Sequence, residues 1–313
     1  MSMCIGMGIG GDVLGEPIPA RDVVEQARQA EADGFSCAWS VHLSRGLDTL
    51  SVLAVAGTAT TRIDLGVGVV PTYPRHPLAL AQQAATTQAL CGGRLTLGVG
   101  VSHRPVIEGM HGLAYLSPAA HMREYLSVLE PALTDGAVTF AGEFYQVDGG
   151  FTVLGAGQVS VVIAALGPKM VQVAGECSDG VVTWMVGPQA LATRIVGPLR
   201  QAAAGAGRAA PRVIAGVQVA VCDDVDLGRA AAEKVFERYA GMENYQRVFE
   251  RDGVPSPGSL AVVGTEAQVE QQLRAYADAG VTELWPTVFG VGEDTAASLR
   301  RTRALLAGLA PAL

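Results

Sequence analysis

The sequence predicts a (β/α)8 barrel, and three observations carry that expectation. First, one boundary pattern recurs: an Ala-rich stretch ends in a small or acidic residue plus Gly, and a β-branched or aromatic run follows. It is seen in "QAEADGFSCAW", "AGECSDGVVTW" and "YADAGVTELW". Glycine closes a helix because it enters the left-handed region without a Cβ clash. Second, the apolar runs are short and unbroken, as parallel strands buried on both faces are. Third, eight such βα units fit within the 313 residues, which is the count of the closed barrel. A doubly wound open sheet is the alternative arrangement of the same units.

In chain order, strands are expected at residues 4–9, 36–41, 63–70, 95–101, 159–164, 180–185, 213–221 and 282–288. Helices are expected at 21–32, 48–60, 77–90, 118–133, 168–177 and 188–204, over a long stretch from 226, and at 295–306. Pro77, Pro118, Pro168 and Pro188 open four of them, a position whose N–H has no helical partner anyway. After the fourth helix, "AVTFAGEFYQVDGGFTVLG" alternates with Gly at its bends and predicts a small hairpin. Between strands seven and eight lies an insertion at about 226–264, helical over "AAAEKVFERYAGMENYQRVFERDG" and loop over "VPSPGSL". Loops that follow barrel strands lie on the catalytic face, so this insertion is a candidate lid or subunit contact. No linker or composition break divides residues 1–313, which form one domain on this reading.

Composition narrows the function. The chain is 49% hydrophobic and 17% charged, which excludes a largely disordered protein. No run of ~18 apolar residues is free of charges and turn formers, so no membrane span is expected. Residues 1–9 lack the basic residues and length of a secretory signal. A net charge of −8, from 22 Lys+Arg against 30 Asp+Glu, lacks the basic excess of a nucleic-acid binder. The cysteines at 4, 37, 91, 177 and 222 are odd in number, dispersed and without C-x-x-C. That argues against a disulfide framework or a zinc knuckle and fits a reducing cytoplasm.

In a barrel the chemistry sits where strands end. The strand exits carry His42; Tyr73, Arg75 and His76; Ser102, His103 and Arg104; Gly167, Pro168 and Lys169; Trp184 and Met185; and Thr287 and Phe289. Three of the five histidines thus fall on one face, and His titrates near neutrality. No H-E-x-x-H or i,i+4 His pair occurs, so no metal is expected. "GVSHR" lacks the last Gly of a hydrolase elbow. Gly6-x-Gly8-x-x-Gly11 matches a dinucleotide fingerprint in form, but "DVLGEPIP" intervenes before any helix. Small residues that let a ligand approach the first strand are the better account. "LGVGVVPTYPRHP" and "LTLGVGVSHRP" are glycine-rich at their exits. Two such neighbours suggest a flat ring over the barrel mouth, or glycines that only pack the barrel. "VVIAALGPKM" ends a strand in Gly-Pro-Lys and opens a helix, where free N–H groups and Lys169 suit a phosphate.

These residues resemble the luciferase-like monooxygenase superfamily, in particular its coenzyme F420-dependent oxidoreductases. The resemblance runs nearly end to end. It rests on "EADGFSCAWSVH", "LGVGVVPTYPRHPLALAQQAATTQALCGGRLTLGVGVSHRPVIEG", "IAALGPKMVQVAGECSDGVVTWMVGP" and "VVGTEAQVEQQLRAYADAGVTELW". It implies a barrel with the deazaflavin ring at its C-terminal mouth, a small-molecule substrate and a homodimer. By position, His42 matches the family histidine beside the ring, a candidate proton donor or acceptor, and His103 competes for that role. The Val67–Gly68 bond falls where many members hold a non-proline cis peptide. Val69, Val70 and Thr72 would edge the cofactor, Gly100, Ser102 and His103 would line it, and Ala165, Gly167, Pro168 and Lys169 would hold its phosphate. Val41 stands where deazaflavin-dependent relatives often have an acid. His103 stands where sugar-phosphate dehydrogenase relatives carry a glutamate, which disfavours that reaction. Members that use FMN and oxygen share these motifs, so an FMN-dependent monooxygenase is the alternative enzyme. A barrel that binds a flavin without turnover, or serves as a structural partner, is the alternative of another class.

Overall fold

The computed structural model describes residues 3–11 and 17–310. The first barrel strand is divided at Gly6 into β1 (Cys4–Ile5) and β2 (Met7–Ile9), followed by α1 (Ala20–Ala32), β3 (Cys37–Ser40) and α2 (Thr49–Ala59). Then come β4 (Asp64–Pro71), α3 (Pro77–Leu90), β5 (Leu95–Gly100), α4 (Arg104–Gly109) and α5 (Pro118–Thr134). The predicted hairpin is β6 (Ala137–Ala141) with β7 (Gln146–Gly150). Next are β8 (Ser160–Ala164), α6 (Pro168–Cys177), β9 (Gly180–Trp184), α7 (Pro188–Ala190), a π-helical turn (Leu191–Val196), α8 (Gly197–Gly205) and β10 (Arg212–Val221). The chain finishes with α9 (Val225–Ala240), α10 (Glu243–Asp252), a 3-10 turn (Pro257–Leu260), β11 (Val262–Gly264), α11 (Glu266–Asp278), β12 (Glu283–Val288) and α12 (Thr295–Leu309).

The main sheet runs β1-β12-β10-β9-β8-β5-β4-β3-β2, and its pairings are parallel. β1 pairs with β12 while β2 pairs with β3, so the first strand holds both edges and brings the sheet round into a barrel. This is the predicted (β/α)8 arrangement. The insertion differs in detail. It forms two helices separated at Gly241, the expected loop over 254–260 carries a 3-10 turn, and a short strand not expected from the sequence follows it. β9 stops opposite Gly216, which leaves the upper edge of β10 bare, and β11 pairs there with Val219–Val221. α4 was not foreseen from the sequence, being a short helix that Pro105 opens.

Inside the barrel, glycine and tryptophan are matched. A Cβ on Gly66 would lie 2.4 Å from the Trp39 ring, one on Gly68 2.9 Å from Trp285, and one on Gly216 2.5 Å from Trp184. All 3 tryptophans of the chain are used this way. On β5, a Cβ on Gly98 would meet the Val67 carbonyl at 2.1 Å, and one on Gly100 the Val69 side chain at 2.6 Å. The glycines that suggested room for a flat ring therefore make room for indoles and for a bulge in β4. Those of the first strand serve likewise: a Cβ on Gly6 would meet the Cys37 Sγ at 2.4 Å. The loop thought to separate Gly11 from the first helix lies partly outside the described residues. Below the indoles, Arg212 donates to Thr96 (3.0 Å), Ser160 (3.1 Å) and Glu283 (2.7 Å), closing the N-terminal end of the barrel with paired polar groups. The five cysteines are free thiols.

Candidate active site

The β3 exit is held by the helix that follows it. Asp48 caps α2 by accepting from the Ser51 N–H at 2.9 Å, and its other oxygen pairs with Arg75, beyond the β4 exit. Burial pushes the Asp48 carboxyl up, but hydrogen bonds from Arg75 and Ser51 outweigh it and hold the group at about 2. Arg75 also donates to Gln83 on α3 at 2.8 Å. The first amide of α2, Thr49 N–H, points at Nδ1 of the half-buried His42 at 3.5 Å. Accepting there leaves the imidazole proton on Nε2. Burial, then the Arg75 charge, lowers the His42 pKa to about 4. His42 is therefore a neutral hydrogen-bond donor near neutral pH.

β4 carries a bulge. Val67 pairs with Leu97 and Val70 with Val99, so Gly68 and Val69 stand out of the ladder. The non-proline cis bond is Gly68–Val69, one residue beyond the Val67–Gly68 bond named from the sequence. The ladder accounts for the shift: Val67 is still in register, and the freed peptide is the next one. Val67 and Val70 are fully buried and belong to the core between barrel and helices, whereas Val69 packs with the interior cluster of Trp39 and Trp285. Thr72 is also buried, its hydroxyl 3.0 Å from Nε2 of His121. His121 lies flat on Tyr73, with ring centroids 3.9 Å apart, and burial lowers its pKa to about 4. Sequence reasoning did not single out His121, because it sits inside a helix, not at a strand exit. His76 has a structural part: its ring accepts from Leu78 N–H and caps α3.

The β5 and β9 exits each place a non-glycine residue in the left-handed region, Ser102 (φ 58) and Met185 (φ 56), conformations that collect at functional sites. His103 begins α4, and its Nδ1 lies 2.9 Å from Asn244 Oδ1 of the insertion. Burial lowers its pKa too. The insertion packs Phe236 and Tyr239 on Trp184, at centroid distances of 6.0 and 5.9 Å. Its Arg251 donates to the Leu166 carbonyl at 3.1 Å, and Arg194 of the π-helical turn pairs with Asp252 at 2.8 Å. The insertion thus roofs one side of the mouth and is tied down at the β5, β8 and β9 exits.

At the β8 exit, Ala165 is buried in the core outside the barrel, while Pro168 and Lys169 are exposed. Gly167 caps α6 with no side-chain hydrogen bond, and a Cβ there would meet nothing within 4 Å. Lys169 has no acidic partner among the described residues. Bare amides, open space and a cation at a helix start suit an anion.

A family model described as luciferase-like monooxygenase matches residues 1–283. The chain belongs to the luciferase-like monooxygenase family. It is 28% identical over 251 residues to a 5,10-methylenetetrahydromethanopterin reductase of Methanolobus tindarius, covering 79% of this chain and 75% of that one. A Mycobacterium tuberculosis protein provisionally named a coenzyme F420-dependent oxidoreductase is 33% identical over 176 residues, 52% of this chain and 50% of that one. The fold matches that of the oxygenating constituent of 3,6-diketocamphane monooxygenase from Pseudomonas putida, solved with FMN, at TM-score 0.77 and 19% identity. The match covers 99% of this chain and 98% of that one.

On this luciferase-like barrel the predicted residues do not form one constellation. His42, Gly68, Val69, Gly100, Ser102 and His103 sit at the mouth, and Gly167, Pro168 and Lys169 stand at the β8 exit where α6 starts. Val67, Val70, Thr72 and Ala165 turn into packed surroundings. Trp184 and Thr287 were expected at strand exits, but Gln218 and Trp285 beside them were not. Trp184 Nε1, Trp285 Nε1, Thr287 Oγ1 and both amide atoms of Gln218 are buried without a hydrogen-bond partner among the described residues. The available signal was a lone glutamine in the apolar strand "VIAGVQVAV". Among the described residues no His/Cys/Asp/Glu cluster could hold a metal, and no helix is long and apolar enough to cross a membrane.

Proposed function

We propose that this chain is a coenzyme F420-dependent oxidoreductase acting on an organic small molecule. The observation that carries it is the uncapped start of α6 with Lys169 on the same rim as the β4 bulge: one end for a phosphate, the other for a ring. The similarity to the F420-named relative supports it. When bound, the deazaflavin supplies a carbon that accepts or donates hydride. The chain's own part is to bind and orient. Lys169 and the first amides of α6 hold the phosphate. Gly68 and Val69 offer the bulge as a surface for the ring. His42 keeps its proton on Nε2 and donates a hydrogen bond to a negative oxygen or nitrogen that develops beside it, and His103, two strands round the mouth, is the second imidazole.

The test is a binding titration with oxidised F420 and with FMN, repeated on Lys169→Ala. F420 should bind more tightly. The variant should weaken it about ten- to a hundredfold, the worth of a charge-assisted contact. The structural likeness to an FMN-bound monooxygenase favours a second reading, a reduced-FMN monooxygenase; tighter FMN binding and oxygen uptake would establish it. Binding of neither would leave a structural barrel.

The same reading includes a homodimer. A groove of about 390 Å³ lies outside the barrel between α2 and α3, bounded by Ser51, Ala54, Gln82, Thr86 and Leu90. Val55 and Leu90 expose apolar surface beside it. The outer face of α2 carries Val55 between Ser51 and Thr58, and an exposed apolar side chain beside a groove is a candidate for cover by a second copy. Light scattering on the purified protein should give twice the 32.3 kDa chain mass; a monomer would remove this part. A cytoplasmic location is proposed from the five free cysteines.

A further inference from the structure

The unpartnered polar groups of the barrel form a wall with a definite chemistry. In the parallel ladder Trp184 stands beside Gly216 and Gly216 beside Trp285, and one step nearer the mouth Gln218 stands beside Thr287. Residues two apart on a strand share a face, so Gln218 and Thr287 face the way Gly216 and Trp285 do, into the barrel. Gln218 is 1% exposed, Trp285 4% and Thr287 6%. None of their side-chain polar atoms has a partner among the described residues, nor has Trp184 Nε1. Native proteins rarely leave so many buried polar atoms unpaired in one place, because each forfeits its hydration for nothing.

The donor set selects the ligand. Gln218 has a free N–H and a free carbonyl on one planar group, and the edge that satisfies both at once carries a carbonyl next to an N–H. The Thr287 hydroxyl, beside Gln218 in the ladder, adds one more donor for the carbonyl oxygen. The Trp184 and Trp285 rings, 5.5 Å apart and inclined by 35°, pack on each other one step below this pair. The neighbouring interior positions Val41, Val69 and Ala164 are apolar, so a buried carboxylate, phosphate or ammonium would find no counter-charge.

We infer that the β9–β10–β12 wall binds the substrate through an uncharged lactam or amide edge. Calling that ligand the substrate rests on the oxidoreductase reading above; the lactam site itself does not. The probe is 2-piperidone, titrated calorimetrically into the full chain without cofactor, with cyclohexanone as the carbonyl lacking an N–H. The lactam should bind more tightly than the ketone. Gln218→Leu should weaken lactam binding about tenfold or more, as two hydrogen bonds are lost. It should also raise the melting temperature by about 2 °C, because an unpaired buried amide is replaced by an apolar group of similar size. A structural amide satisfied by internal water would do the reverse: a lower melting temperature with lactam affinity unchanged, which overturns the inference. Should Gln218→Leu fail to fold, Thr287→Val carries the same comparison. No lactam binding by the wild type also overturns it. F420 binding without lactam binding sinks this inference alone, whereas lactam binding without F420 binding sinks the cofactor reading and leaves the site. F420 that displaces the lactam would hand the edge to the cofactor ring and overturn the substrate assignment.

Discussion

The two ends of the barrel treat polar side chains on the same strands in opposite ways. At the N-terminal end, Arg212 of β10 and Glu283 of β12 meet at 2.7 Å, and Thr96 and Ser160 take the remaining guanidinium hydrogen bonds. At the C-terminal end of the same two strands, Gln218 and Thr287 have no partner among the described residues. Pairing at one end and its absence at the other separates what stabilises the barrel from what it holds ready for something else. The cost of unpaired groups is tolerated where a ligand can remove it.

The largest expected effect is at the mouth. His42→Ala should lower turnover about 10²–10³-fold, the worth of one well-placed donor, with urea unfolding near wild type at pH 8. Because burial and Arg75 hold His42 at about 4, the wild-type pH–rate profile should show no limb from this group between pH 6 and 9. A limb near pH 6.5 that disappears in His42→Ala would make His42 a general acid or base and break the contrast drawn here.

Arg212→Met tests the other end. It leaves the Glu283 carboxylate, 9% exposed, without its cation, and should cost about 3 kcal/mol, the lower part of the range for broken buried pairs because Arg212 is itself 33% exposed. Urea denaturation reads the loss, while F420 affinity of the folded protein should be unchanged. Weakened F420 binding with normal stability would show that the two ends are not separate.

The smallest effect sharpens the rule at its exception. Glu130 on α5, near Asp179 at the lower end, has a buried oxygen with no hydrogen-bond partner among the described residues. Burial, then the Asp179 charge, raises its pKa to about 7. The folded state then holds a proton that the unfolded chain has lost, so stability from this group is present below pH 4.5 and is lost as pH rises through 7. Glu130→Gln should gain about 1 kcal/mol at pH 8 and nothing at pH 4.5. His42 and His121, both lowered to about 4, act with the opposite sign: their stability is present above pH 6.5 and is lost as pH falls towards 4. Urea midpoints against pH for wild type and Glu130→Gln separate the two; identical curves would remove Glu130 from the account.

The sequence by itself determined the barrel, its eight strands, the hairpin, the place of the insertion and the strand-end residues that ring the mouth. Those features depend on periodicity, helix-closing glycines and helix-opening prolines, which are local. It also pointed to Lys169 and Gly167, since a Gly-Pro-Lys after a strand defines a helix start without help from elsewhere. Only the tertiary structure decided which way each residue turns. Val67 and Val70 face the core and Val69 the interior because a bulge shifts the alternation, and a one-residue slip exchanges the faces of a strand. Only the closed sheet set Trp39 over Gly66 and Trp184 over Gly216, or brought Asp48 of one exit to Arg75 of the next. Pairing and its absence belong to that level too: Arg212 and Gln218 lie six residues apart on one strand, and it is their neighbours across the barrel that satisfy the first and leave the second free.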